Sequence, residues 1–182
     1  MLIISVVGGL SSGKTTVAKM FAAKLNCGTI EIGDLVRKIT GSSDRAVLQA
    51  ELNKHTKEPN WFYDELVKEI NKEVDSKFKV AIVSGIREPI LLCQMMDEHE
   101  VISVTIEAND FIRYKRLIQR DGFTNLQDFR VANEKDIGLG LDITMSMSHY
   151  SIDTTQSLDA LERRVEQILL SCGQIPVYYK ND

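Results

Sequence analysis

Leu2-Ile3-Ile4-Ser5-Val6-Val7-Gly8-Gly9-Leu10-Ser11-Ser12-Gly13-Lys14-Thr15-Thr16 is the stretch that decides the fold. Leu2–Val7 is an apolar run of the kind found in a strand buried on both faces. Gly8–Thr15 matches G-x-x-x-x-G-K-T, the phosphate-binding loop pattern. Its glycines let the backbone wrap with N–H groups turned inward, which makes an anion-binding nest. A helix starting near Lys14 adds its positive end at the same spot. Lys14 is then placed to reach the β- and γ-phosphates of ATP, and the Thr15 hydroxyl to ligate Mg²⁺. The reading assigns Gly8, Gly9, Leu10, Ser11, Ser12, Gly13, Lys14, Thr15 and Thr16 to ATP. Four fixed positions at this spacing arise by chance in under ~1% of chains this long.

Outward from the loop, apolar runs alternate with amphipathic stretches. Thr29–Ile32, Val80–Val83, Val101–Ile106 and a weaker Tyr150–Asp153 read as further strands. Val17, Met20, Phe21 and Leu25 share one helical face, as do Phe62, Leu66, Ile70 and Val74. Leu158, Leu161, Val165, Ile168 and Leu169 repeat in the same way near the end of the chain. Strand–helix alternation predicts an α/β protein: a three-layer fold with a central, mostly parallel five-stranded sheet and helices on both faces. No repeat and no linker interrupts residues 1–182, which read as a single domain. Residues 120–140 break the rhythm with polar, mixed-charge sequence and three glycines, and read as a mobile insertion or small lid.

Composition narrows the function classes. The chain has 182 residues, 43% hydrophobic and 26% charged, so it can bury a full-sized core. Its 22 basic and 26 acidic residues sum to −4, which disfavours wrapping of nucleic acid but leaves room for a local anion pocket. No apolar run approaches membrane-spanning length, and Met1–Gly9 lacks the pattern of a secretory leader. Cys27, Cys93 and Cys172 fit no zinc or redox spacing and read as reduced thiols of a cytoplasmic protein. A monomer or homodimer is expected, with no membrane partner.

Other phosphate-loop classes fit poorly. A GTPase needs N-K-x-D for guanine, whereas Asn133-Glu134-Lys135-Asp136 has the wrong order and reads as a solvated helix face. Translocating ATPases end an apolar strand in paired acids, whereas here that strand ends Val83-Ser84-Gly85. A small phosphotransferase remains. Asp34 follows the second strand on the edge that carries the loop. A carboxylate there can hold a Mg²⁺-bound water, orient an acceptor oxygen, or cap a helix over 35–40. Arg37 lies three residues on. Arg87 follows the third strand, at the carboxyl edge where α/β sheets bind ligands. Arg113, Arg116 and Arg120 fall on one helical face, where three cations repel unless an anion offsets them.

The loop, then Ile32-Gly33-Asp34-Leu35-Val36-Arg37, then Ser84-Gly85-Ile86-Arg87-Glu88, occur in an order that resembles the nucleoside monophosphate kinases and dephospho-CoA kinases. Arg113–Arg120, Asp128-Phe129-Arg130 and Ile137–Gly140 are similar to a nucleotide-kinase-like branch near dephospho-CoA kinase. The resemblance spans roughly residues 1–170. It implies an ATP- and Mg²⁺-dependent kinase acting on a small phosphorylated acceptor, a nucleoside monophosphate first and dephospho-CoA second. It implies that Arg37 and Arg87 grip the acceptor phosphate. Arg113, Arg116 and Arg120 would close over the transferring phosphoryl, with Arg130 in the same lid. Residues 34–76 would cover the acceptor, with Trp61 and Phe62 either there or in the core. Tyr150 is a candidate adenine contact or a core tyrosine. The departure is Ser84, where the family usually has Asp in the magnesium shell. Either Asp34 takes over the metal role, or activity is reduced, or the acceptor differs. A nucleotide-binding regulator or slow ATPase is the reading from another class.

Overall fold

The computed structural model describes residues 1–42, 60–73, 80–121 and 125–173. The middle of the expected 34–76 insertion, Val74, His55, residues 122–124 of the expected lid and the tail Ile175–Tyr179 lie outside the described residues.

The strands are β1 (Leu2–Val7), β2 (Thr29–Glu31), β3 (Val80–Ser84), β4 (Glu100–Glu107) and β5 (Tyr150–Asp153). The helices are α1 (Lys14–Leu25), α2 (Ile32–Thr40), α3 (Trp61–Glu73), α4 (Pro89–Glu98), α5 (Asp110–Asp121), α6 (Leu126–Gly138), α7 (Leu141–Ser146) and α8 (Leu158–Ser171). The sheet runs β2-β3-β1-β4-β5, and each neighbouring pair is parallel. All five strands therefore end at one edge. In register at that edge stand Val6 with Ser84, Glu31 with Ser84, and Glu107 with Asp153.

β1 sits third in the order, so both of its faces are covered. Leu2, Ile4 and Val6 pack with Val17, Phe21, Val165 and Ile168 of α1 and α8. Ile3 points the other way, into a second core with Leu35, Leu66, Ile70, Leu92 and Met95 from α2, α3 and α4. This is the three-layer arrangement expected from alternating strands and helices. Each such fully buried aliphatic side chain contributes roughly 1.5–3 kcal/mol, so the sheet gives the edge loops a rigid base.

Two expectations change. The second strand stops at Glu31, and Ile32 already begins α2. Asp34 is thus in the first turn of a helix rather than capping one at 35–40. Within the polar stretch over 120–140, Leu126–Gly138 form α6, docked through Phe129, Ala132 and Asp136, each less than a tenth exposed. One turn of its face is apolar enough to bury, although its mean character is polar. Asn133-Glu134-Lys135-Asp136 lies on that helix but is not a solvated face, because Asp136 is buried and Asn133 half-buried.

Candidate functional site

β1 delivers the chain into the loop of residues 8–13, and α1 leaves it. A Cβ on Gly8, at φ 155°, would lie 2.5 Å from the Ile106 carbonyl of β4, so only glycine lets the loop start so close to the sheet. A Cβ on Gly9 would lie 2.6 Å from Nη2 of Arg113, so the guanidinium rests directly on the loop backbone. Ser11 takes the left-handed region at φ 57°. The Ser12 N–H donates to the Gly9 carbonyl at 3.2 Å and closes the turn.

Lys14, the first residue of α1, donates from Nζ to the Gly9 carbonyl at 2.8 Å. Burial brings its pKa down to about 8, and the charges of Arg87 and Arg113 push the same way. The carboxylates of Asp136 and Glu31 oppose the shift. Lys14 therefore shares its electrostatic surroundings with residues from the ends of β2 and β3 and from α5 and α6. Thr15 and Thr16, in the first turn of α1, are exposed.

The arginines of α5 are fixed on backbone. Arg113 donates from Nε to the Leu10 carbonyl at 2.9 Å, pairs with Asp110 at 3.0 Å, and donates to Asn133 Oδ1 of α6. Its guanidinium also stands 5.3 Å from the Phe129 ring centroid, and burial lowers its pKa. Arg116 donates to Thr154 Oγ1 at 2.9 Å, the Thr154 carbonyl at 2.6 Å and the Ser12 carbonyl at 3.3 Å. Thr154 itself donates to the Ser12 carbonyl at 2.5 Å, which ties the end of β5 to the loop. Arg120, a turn further along α5, is exposed, as is Arg130 of α6.

Across the edge, Arg87 pairs through Nε with Asp136 Oδ1 at 2.9 Å. Thr144 of α7 holds the Arg87 carbonyl at 2.7 Å. Arg37 pairs with Asp34 one turn earlier on α2, and both side chains are exposed. Arg87 is thereby brought to the loop lysine, whereas Arg37 and Asp34 stand as an exposed pair of their own.

Three residues escaped the sequence reading. Asp136 and Asn133 lie on a segment whose order failed one motif and was set aside. Glu31 ended a short strand and looked like part of a run. The detectable signal was the helical spacing of Phe129, Ala132, Asn133 and Asp136, which places them on one side of α6. Tyr150 resolves as a core tyrosine, since it packs against the α1–α8 core and its hydroxyl meets Ser171 and Cys172. Trp61 and Phe62, 6.1 Å apart between ring centroids, open α3, with Phe62 packed against the α2–α4 core. His149 is structural too, accepting the Ser103 N–H at 3.0 Å. Ser84 is fully buried, and its hydroxyl has no hydrogen-bond partner, as is also true of Ser11 Oγ, Ser12 Oγ and Glu31 Oε1.

Comparison with known proteins fits this geometry. The family described as AAA domain matches residues 4–136. A cytidylate kinase of Archaeoglobus fulgidus is 31% identical over 119 residues, covering 65% of this chain and 62% of that protein. A UPF0200/UPF0201 protein of the same organism is 23% identical over 184 residues, covering 96% of this chain and 57% of the relative. The chain thus spans only about three-fifths of the length of either relative. Among solved structures, a shikimate kinase from Acinetobacter baumannii in complex with shikimate superposes with TM-score 0.65 at 16% identity, over 93% of each chain. That likeness establishes the fold.

Proposed function

From the premise that this chain belongs to the AAA domain family, as a P-loop fold of the nucleotide-kinase type, we propose that it moves the γ-phosphoryl of ATP onto a small phosphorylated acceptor. The first acceptor class is a (deoxy)nucleoside monophosphate, with dephospho-CoA the second. The observation that carries this reading is that Arg87 and Lys14 follow neighbouring strands at one sheet edge: β3 pairs with β1, the Gly85 N–H donates to the Val6 carbonyl at 3.0 Å, and the charge of Arg87 acts on Lys14. A phosphate held by Arg87 would face the γ-phosphate held by Lys14, so both reactants meet at one point of the sheet edge.

Mechanistically, for a nucleoside monophosphate an acceptor phosphate oxygen attacks the γ-phosphorus, the bond from phosphorus to the β–γ bridging oxygen breaks, and ADP leaves. The transition state spreads charge over the equatorial oxygens, and the protein's task is positioning and charge stabilisation. Loop N–H groups and Lys14 do this on the ATP side, where Arg113 and Arg116 hold the loop backbone in place and Arg120, a turn further along α5, is the member of that set left to act on the phosphoryl. Arg37 and Arg87 orient the acceptor, with residues 34–76 as its cover and 120–140 as the lid of one domain. Mg²⁺ fits the site because Glu31 Oε1 and the hydroxyls of Ser12 and Ser84 are buried oxygens without a hydrogen-bond partner, the hard donors this ion takes, and it would neutralise the β,γ charge. Thr15 and Asp34 are the ligands expected from the sequence. Cys27, Cys93 and Cys172 suit a reducing, cytoplasmic setting. No helix among the described residues is long and apolar enough to cross a membrane.

The test is coupled ADP release with a panel of acceptors. Cytidine monophosphate comes first because a relative is a cytidylate kinase. ADP release that depends on one acceptor supports the reading. Equal release with and without every acceptor assigns a slow ATPase or regulator instead.

A further inference from the structure

Among the described carboxylates near the edge where α1 begins, three are paired with arginines. Asp34 is paired with Arg37 and its side chain is 68% exposed. Asp136 is paired with Arg87. Asp110 is paired with Arg113. Glu31, the last residue of β2, differs from these. Its Oε1 is buried and accepts no hydrogen bond, and it stands in register with Ser84, whose hydroxyl is equally buried and unpartnered. Ser84 in turn is in register with Val6, two residues before the loop begins at Gly8. Glu31 also acts electrostatically on Lys14.

A buried carboxylate oxygen with no donor is costly, and a positive partner is what offsets it. Lys14 directs its Nζ to the Gly9 carbonyl instead. We propose that Glu31 supplies the protein carboxylate of the divalent-cation shell at this site, with the Ser84 hydroxyl beside it and the nucleotide phosphates completing it. The inference rests on the phosphotransfer reading above. It moves the metal role from Asp34, whose charge is spent on Arg37 in solvent, to a carboxylate inside the edge. Mg²⁺ takes one or two protein carboxylates and keeps waters and phosphates for the remainder, so a single Glu is enough. Among the described residues no cluster of three or more acidic, histidine or cysteine ligands exists that would hold an ion without nucleotide.

The experiment measures Mn²⁺ binding to the protein–ADP complex by loss of the free Mn²⁺ spin-resonance signal, alongside ADP binding in EDTA. Wild type is compared with Glu31→Gln, Glu31→Asp and Asp34→Asn, each checked by its melting temperature. A residue of a metal shell is worth ~10–100-fold in metal affinity. Glu31→Gln should weaken Mn²⁺ binding by about that factor, while ADP affinity in EDTA stays at the wild-type value. Glu31→Asp, which keeps the charge, should lose less, and Asp34→Asn should bind Mn²⁺ like wild type. Wild-type Mn²⁺ affinity in a folded Glu31→Gln, or a loss confined to Asp34→Asn, overturns the proposal. So does a wild-type complex that holds Mn²⁺ no better than ADP alone. Absence of ADP binding in EDTA would instead bring down the phosphotransfer reading itself, and this proposal with it.

Discussion

Above the loop that follows β1, Arg113 and Arg116 aim their donors at the main-chain carbonyls of Leu10, Ser12 and Thr154. Across the same sheet edge, Arg37 and Arg87 meet the carboxylates of Asp34 and Asp136. The two halves differ in what a ligand must displace. A carbonyl is fixed in the backbone and cannot be exchanged without moving the loop. A carboxylate partner can be traded for a phosphate, since both accept the same guanidinium donors. The loop half is thus preorganised for one ligand. The acceptor half is held by internal anions until its ligand arrives. Each prediction below strikes one half and asks whether the other notices.

The largest effect belongs to the loop half. Lys14→Ala should lower ATP turnover by ~10²-fold or more, the scale of losing a positioned cation of roughly 3 kcal/mol. The melting temperature should hold or rise, because burial opposes the charge that is removed. Steady-state ADP release and thermal melting check this together. Turnover within threefold of wild type would remove the loop from the chemistry.

Arg87→Ala comes second. An arginine–phosphate contact contributes roughly 1.5–3 kcal/mol, so the acceptor KM should rise ~10- to 150-fold with the ATP KM nearly unchanged. Arg37→Ala should do less, because its guanidinium is exposed and solvent screens it. Titration of each substrate against both variants distinguishes the halves. Loss of ATP affinity in Arg87→Ala, with acceptor binding kept, would reverse the assignment.

The contrast also explains what the sequence disclosed. The loop half is contiguous: strand, glycines, lysine and helix follow one another, and local rules of backbone geometry fix them. So Gly8–Thr15, the alternation of strands and helices and the helical face of Arg113 and Arg116 were readable. The acceptor half is assembled across the fold. Asp136 reaches Arg87 only because α6 docks beside the end of β3, and no spacing rule links positions 87 and 136. Glu31 became visible through register, as its oxygen is buried opposite Ser84 on a neighbouring strand. The three-residue β2 carries too little periodicity to mark its end, which is why capping stood beside the metal and acceptor roles as an alternative for Asp34, a place that the helix from Ile32 does not leave it.

A smaller effect is written in pH. The Lys14 ammonium of the free protein titrates at about 8, lowered by burial first and by Arg87 next. Phosphates of bound ATP favour the charged form and raise that pKa. Below pH 8 both states are protonated, and ATP affinity is flat. Above it the free protein has lost a proton that the complex must regain, so Kd rises toward tenfold per pH unit. At pH 9 binding should be about tenfold weaker than at pH 7. Calorimetry in buffers of different ionisation heat should show proton uptake in that window. A flat profile from pH 7 to 10 would mean that Lys14 is not the phosphate-facing cation.

The smallest effect joins the halves, because Asp136 touches both. Its carboxylate pairs with Arg87 and also raises the pKa of Lys14. Asp136→Asn keeps the shape and an acceptor oxygen but removes the charge. On the acceptor side, Arg87 loses a competing anion. Half-exposed pairs are worth only ~0.2–1 kcal/mol, so the acceptor KM should fall by no more than about fivefold. On the loop side, Lys14 loses one of the two carboxylates that support its charge. The midpoint of the pH dependence of ATP binding should therefore drop below 8. The two shifts are measured independently, one as a KM and one as a pH profile, and only a group standing between the halves moves both. A rise in acceptor KM would instead make Asp136 part of the acceptor's own binding surface. An unchanged ATP profile would show that the halves are electrostatically separate, and that Arg87 does not face Lys14 as the phosphotransfer reading requires.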